Sequence, residues 1–293
     1  MAKKLLALSL FLALALGLTG CAKKTIEPIT KKINGLEYEL SSDKLIQKTE
    51  NRNSEKKFGV ISDPHGSYEN IRVFSDSFKN RGVDGIIMLG DYDNPSPCIE
   101  VAAKTGLPVY IVPGNHEIKK EYETILNKLC KKYSNIIDMG KTRIVDGIGF
   151  DFVSEPYGNG YGYNFDGFLI PKGEYNLLIE QTKKLKGDND SEILLSHQPP
   201  KCIGKHGVDF IPGTGNVGNE NYDKIMNGIG IKFSLSGHIH EAGGNGVTGN
   251  GQYIKPNKFS DELRFNPGSA AEGLAGVFTI EGNKAKYESI SSR

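Results

Sequence analysis

Five short apolar runs punctuate the middle of the chain: FGVIS (58–62), GIIML (85–89), PVYIV (108–112), EILLS (192–196) and IKFSLS (231–236). Such largely continuous runs, rich in β-branched residues, suit strands covered on both faces. Between them lie candidate helices at 68–80, 97–105 and 117–132. Strand followed by helix, repeated, predicts an α/β domain. Near the end, ELRFN (262–266), AGVFTIEG (275–282) and KAKYESI (284–290) read as antiparallel strands. A Gly282-Asn283 turn would join the last two. The stretch EPYGNGYGYNFDG (155–167) reads as a glycine- and tyrosine-rich loop.

The N-terminus follows a different pattern. Lys3 and Lys4 precede an almost wholly apolar run, 5–18, and then LTGC (18–21). A basic start, an apolar stretch and small residues before a cut site make a secretory signal. The run is short for a membrane span, which needs about 20 residues. LTGC resembles a bacterial lipobox, which implies cleavage before Cys21 and acylation of its sulfur. The expected location is the cell envelope, with the chain lipid-anchored to the membrane on the extracytoplasmic side. Residues 22–57 are rich in Lys, Glu, Ser, Thr and Asn and lack a clear period, with a short ordered piece around 36–40 as the alternative to a tether throughout. The expected organisation is a signal at 1–20, a polar tether at 21–57 and one domain at 58–293.

Composition narrows the field only a little. A chain of 293 residues with 38% hydrophobic content can bury one sizeable core. Net charge is +1, and removal of residues 1–20 leaves 34 basic against 35 acidic side chains. Bulk charge therefore indicates no nucleic-acid partner. If Cys21 carries lipid, Cys98, Cys130 and Cys202 remain, as one pair and a free thiol or as three thiols. No CxxC spacing exists, which argues against a cysteine zinc site.

The polar residues that end the strands are more informative. FGVIS runs into Asp63 and His65, GIIML into Asp91, PVYIV into Asn115 and His116, EILLS into His197, and IKFSLS into His238 and His240. Five of the six histidines stand at these ends; His206 lies in a polar loop and is expected to be solvent-exposed. Sites in open α/β sheets form beyond the carboxyl ends of the strands. Imidazoles and carboxylates gathered there are costly unless paired or metal-bound. A metal site is the simplest account. In a strand, residues i and i+2 share a side, so His238 and His240 would project together.

DPH, GD, GNHE, a lone His and GHIH, in that order, resemble the calcineurin-like metallophosphoesterase family. NPGS (266–269) resembles a late motif of small members. The resemblance covers about 58–280 and implies two packed mixed β-sheets flanked by helices, a four-layer sandwich. It also implies a two-metal site. Asp63, His65 and His240 would hold one ion, Asn115, His197 and His238 the other, and Asp91 would bridge them. Nitrogen and oxygen ligands suit Mn, Fe, Zn or Ni. The implied activity is hydrolysis of a phosphomonoester or phosphodiester, from a small molecule or lipid headgroup, by a two-metal-activated hydroxide, with His116 as proton donor. The alternative is a binding lipoprotein that keeps the metals without turnover. A structural zinc domain, with closed four-ligand sites, fits seven candidate ligands poorly.

Two departures stand out. Many relatives read GDxxD, the second Asp steering the catalytic histidine. Here Asn94 holds that place and Asp93 comes one residue early, so neither is an evident partner for His116. The arginine that follows in phosphoprotein phosphatases is absent too, which leaves a phosphoprotein substrate unsupported. Tyr157, Tyr161 and Tyr163 are expected to belong to a plain surface loop.

Overall fold

The structure is a computed structural model that describes residues 29–41, 44–49, 54–155, 174–185 and 190–292. Alternation within each strand decides the layers. In β4 (Glu55–Ile61), Phe58 and Val60 face one way and Ile61 the other. In β5 (Gly85–Met88), Ile87 sides with Phe58, while Ile86 and Met88 side with Ile61. In β6 (Val109–Ile111), Tyr110 takes the first face and its neighbours the second. The first face packs against a second sheet. The other is covered by α1 (Tyr68–Asn80), α2 (Pro95–Ala103) and α3 (Lys119–Lys132), through residues such as Phe74, Phe78, Ile99 and Leu126.

The second sheet repeats the scheme. In β9 (Asp151–Glu155) and β10 (Glu192–Ser196), Phe152, Ile193 and Leu195 point to the shared core. Val153 and Leu194 point outward, against Leu178 of α4 (Glu174–Lys183) and Tyr222 and Met226 of α5 (Glu220–Ile229). The result is helix, sheet, sheet, helix. Phe58 anchors the inter-sheet core, its ring edge-on to those of Tyr110, Phe150 and Phe152 at 6.3, 4.9 and 4.9 Å.

The remaining strands are β1 (Ile29–Ile33), β2 (Leu36–Ser41), β3 (Lys44–Gln47), β7 (Ile136–Asp138), β8 (Ile144–Asp146), β11 (Phe210–Ile211), β12 (Gly215–Asn216), β13 (Phe233–Leu235), β14 (Asn245–Val247), β15 (Leu263–Asn266), β16 (Leu274–Glu281) and β17 (Lys284–Ser291). One sheet runs β17-β16-β4-β5-β6-β7, the other β1-β2-β3-β8-β9-β10-β13-β15-β14, and β11 pairs with β12. Strands β4 to β7 are parallel to one another, and so are β9, β10, β13 and β15. Gly282 and Asn283 do join β16 to β17.

The expectation of a polar tether reaching residue 57 is corrected. Residues 29–47 supply three strands at one edge of the larger sheet. Ile33, Tyr38 and Leu45 are buried in the inter-sheet core. Asn34 and Gly35 both have positive φ, 48° and 82°, between β1 and β2. An Asn-Gly pair between alternating residues is a two-residue hairpin signal. Its strands are polar on one side, so composition alone made them resemble a tether. The signal, Cys21, Tyr157, Tyr161 and Tyr163 lie outside the described residues.

Candidate metal centre

The strand ends converge. Asp63, His65 and His240 bring one ligand atom each within 4.8 Å of one another, and so do Asp91, His197 and His238. His65 Nε2 and His240 Nε2 are 3.4 Å apart, and His240 Nε2 is 3.5 Å from Asp63 Oδ1. In the second group, His197 Nε2 lies 2.8 Å from Asn115 Oδ1 and 3.2 Å from Asp91 Oδ2. The groups adjoin, with His197 Nε2 only 3.9 Å from Asp63 Oδ1. Each residue expected to ligate therefore stands in one of two neighbouring groups. The resemblance implies that Asp91 would bridge two ions; its carboxylate stands with His197 and His238.

Backbone strain accompanies this convergence. Among the described residues, seven non-glycine positions have positive φ, and five are Asp63, His65, Asp91, Asp93 and His238. Left-handed backbone costs a non-glycine residue roughly 1–2 kcal/mol, and such strain concentrates at functional sites. His238 and His240 do not share a strand face. Strand β13 stops at Leu235, His238 has φ 65°, and His240 opens a 3-10 turn, His240–Ala242. That kink sends the two rings into different groups. Close approach explains two glycines: a Cβ on Gly114 would strike Asp91 Oδ1, and one on Gly237 would strike Ser62 Oγ and Asp63 Oδ2.

The donor chemistry fits a cation. His197 Nδ1 donates to Leu89 O at 2.6 Å, which leaves the Nε2 lone pair facing the oxygens of Asp91 and Asn115. Acceptors that converge on one point are favourable only around a positive charge. Asp63 Oδ1 is fully buried and accepts no hydrogen bond. Burial would lower the His197 pKa, but the Asp91 carboxylate prevails and raises it to about 10. Asp91 is held well below the usual carboxylate range, because the His197 charge overcomes a burial that acts the other way. Burial, with His197 beside it, pushes His238 down to about 4, so its ring is neutral and its lone pair free to ligate. The same field that would seat a proton on His197 would seat a metal ion. The thiols stay out of it. Cys98, Cys130 and Cys202 are free, and burial raises them to about 12, 11 and 11.

Several side chains brace the ligands, and sequence reasoning missed most of them. Asp93 is the partner of His116 after all. Its Oδ1 accepts from His116 Nδ1 at 2.7 Å and its Oδ2 from His65 Nδ1 at 3.1 Å. Asp93 has φ 54°, and this left-handed bend re-aims a residue that lies one place early in the motif. Glu117 is buried and accepts from the backbone N–H groups of Gly114, Asp91 and Tyr92 at 2.5, 3.1 and 2.7 Å. It ties the GD loop to the GNHE loop. Burial, with Asp91 nearby, raises its carboxyl to about 7. Asn266 of NPGS donates to Ile239 O at 2.9 Å, and Ser269 Oγ donates to Asp63 O at 2.8 Å. His116 Nε2 stands 3.7 Å from Asp91 Oδ2, facing the ligands. His206 is exposed, as expected, with its ring 5.6 Å from that of Tyr253.

Known proteins bear on this geometry. The fold is similar to that of TT1561 from Thermus thermophilus, with TM-score 0.55 and 14% identity over 81% of this chain and 99% of that one. It is similar also to a dimetal phosphatase from Danio rerio, with TM-score 0.54 and 11% identity over 81% and 99%. A third is GAP50, the anchor in the inner membrane complex of Plasmodium, with TM-score 0.52 and 14% identity over 82% and 86%. These identities show the fold alone. A comparison with curated proteins found no match. Residues 56–242 match the model of the calcineurin-like phosphoesterases. That span takes in every strand end of the cluster, from Asp63 to His240, and the chain belongs to the calcineurin-like phosphoesterase family.

Proposed function

We propose that the protein hydrolyses phosphate esters with two metal ions held side by side, one by Asp63, His65 and His240, the other by Asn115, His197 and His238, with Asp91 shared. Metal-dependent phosphoester hydrolysis is the family's chemistry; the second ion and the shared ligand are the finer reading. The observation that carries it is the adjacency of two donor groups, 3.9 Å apart at His197 Nε2 and Asp63 Oδ1. Ions bound there would neutralise phosphate oxygens and acidify the attacking water. Nitrogen and oxygen donors without thiolate suit Mn, Fe, Zn or Ni rather than Ca.

The chain's own residues supply the rest. Asp93 holds His116 by Nδ1 and so leaves Nε2 turned toward the ligands. In its protonated form that nitrogen donates to the departing ester oxygen. Burial lowers the His116 pKa, but Asp91 and Asp93 outweigh it and raise the value above the ordinary one. Hydrogen bonds donated by Nδ1 to Asp93 Oδ2 and Leu89 O fix the tautomers of His65 and His197, presenting Nε2 as the ligand atom. The signal and LTGC support lipid anchoring through Cys21 on the extracytoplasmic side of the membrane. Among the described residues no helix is long and apolar enough to cross a membrane.

The test is metal analysis with turnover. The purified protein, loaded with Mn, is expected to bind two ions and hydrolyse p-nitrophenyl phosphate or its bis ester. Asp91→Asn should lose metal and activity together. Two ions still at full occupancy in Asp91→Asn would end the shared-ligand assignment. Loaded protein inert on both esters would leave metal binding without turnover.

A further inference from the structure

Seven large hydrophobic side chains are exposed among the described residues, and three of them meet in one place: Ile203, Val217 and Tyr253, at 66, 42 and 42% exposure. Their loops touch. A Cβ on Gly251 would strike Ile203 O, Asn216 Nδ2 donates to Gly204 O at 3.1 Å, and the His206 ring stands 5.6 Å from that of Tyr253. The platform beneath is braced. Cys202, Val208 and Val247 pack as a small buried cluster. Asp209, fully buried, accepts from Cys202 N, Asn216 Nδ2 and Gly218 N at 3.0, 2.7 and 2.9 Å. Burying a carboxylate is costly, and here it fixes a loop that keeps two apolar side chains in water. Exposed apolar side chains gathered in one patch mark an interaction surface.

The charge of the patch is one-sided. Lys205 stands two residues after Ile203, and Lys255 and Lys258 follow Tyr253. All three are exposed, and none has a carboxylate partner among the described residues. The nearby Glu220 is matched by Lys201 at 2.7 Å. The patch thus carries three unmatched positive charges, although the chain without residues 1–20 has 34 basic against 35 acidic side chains. Apolar tips, a tyrosine and flanking lysines complement an anionic surface with an apolar interior, where the rings and aliphatic side chains sit at headgroup level and the ammonium groups meet phosphate.

We propose that this patch docks the folded domain on an anionic lipid surface, with Ile203, Val217 and Tyr253 entering the interface and Lys205, Lys255 and Lys258 meeting lipid phosphates. This rests on the lipid-anchor reading above. An anchor at Cys21 keeps the chain near a membrane but leaves the domain free to turn; the patch fixes which side faces the lipid. The platform is joined to the candidate centre, because Asn266 Nδ2 lies 3.3 Å from Val208 O and 2.9 Å from Ile239 O. Docking therefore also sets how the centre stands relative to the membrane.

The test is a lysine footprint. The full chain is reconstituted in vesicles of phosphatidylglycerol or of phosphatidylcholine, and each lysine's rate of acetylation by a water-soluble reagent is read by mass spectrometry. A lysine beside an anionic surface is worth about fivefold in partitioning. Lys205, Lys255 and Lys258 should therefore react about fivefold or more slowly in phosphatidylglycerol than in phosphatidylcholine. Lys79 and Lys131, exposed on the helices that cover the other sheet, should keep their rates. In the Ile203→Glu/Val217→Glu double variant, the slowing should vanish; both side chains are exposed, and an unchanged Tm checks that the variant folds. Equal rates in the two vesicles, or slowing kept in the variant, overturns the proposal. Slowing without vesicles that grows with protein concentration would make the patch a contact between copies, and overturns it too. If the chain takes up no labelled fatty acid, the anchor reading fails separately, and the same protein mixed with preformed vesicles decides. Slowed patch lysines with phosphatidylglycerol alone sustain the docking face, and equal rates end it.

Discussion

Asp93→Asn tests how the site is organised, because one carboxylate serves two histidines. Its oxygens accept from His116 Nδ1 at 2.7 Å and from His65 Nδ1 at 3.1 Å. The amide keeps one oxygen and turns an NH₂ toward the other ring, donor against donor. A hydrogen bond to a charged group is worth about 1.5–3 kcal/mol. The Asp93 side chain is 44% exposed, so water competes, and about 1 kcal/mol per bond is a fairer figure. Global stability should hardly change. Function should change more. With its tautomer unfixed, His65 spends part of its time with the proton on Nε2, the nitrogen turned to His240. Losing such a partner typically costs 10–100-fold in metal affinity. His116 also loses a partner that raises its pKa above the ordinary 6.5. The acid form is the working form, so activity on alkyl esters is present below that pKa and is lost as pH rises through it. Removing Asp93 should move this falling limb to lower pH, with nitrophenyl esters little affected. The assay is kcat/KM against pH on both ester classes at saturating Mn, with a metal titration. Unchanged metal affinity together with an unmoved limb would refute the shared role of Asp93.

His116→Ala should keep both metals, lose about 10²–10⁴-fold on alkyl esters and less on nitrophenyl esters, whose leaving group needs little protonation; equal losses would move His116 to substrate positioning. Glu117→Gln keeps one oxygen for three buried N–H groups, so about 1–3 kcal/mol of stability should go; an unchanged Tm on thermal denaturation would show that the two loops hold without it. Phe58→Ala empties the centre of the inter-sheet core and should cost about 3–5 kcal/mol, read by urea unfolding; a loss under about 1 kcal/mol would mean the sheets close over the gap. Cys21→Ser should leave the precursor uncut and unlabelled by fatty acid; an unaltered protein that takes up no label would end the lipid-anchor expectation.

The sequence by itself determined the strands buried on both faces and the chemistry at their ends. Apolar runs ending in Asp, His and Asn are local features, and a β-strand delivers its next residue to its carboxyl end whatever it pairs with. The donor set could therefore be read before any pairing was known. The sequence also held the hairpin of 33–36, written as Asn34-Gly35, but a polar outer face hid it behind the composition of a tether. Only the tertiary structure decided which strands are neighbours, and so which candidate ligands stand in one group. His238 and His240 part company because the backbone turns left-handed at His238, a conformation held by contacts such as His238 N to Asp63 Oδ2 at 2.9 Å. Asp93 serves His116 through a bend that motif spacing cannot express. Glu117 and Asn266 act on backbone groups of other loops, and such contacts leave no local pattern. The motif named the ligands, whereas their bracing depends on long-range backbone geometry that exists only once the two sheets have packed.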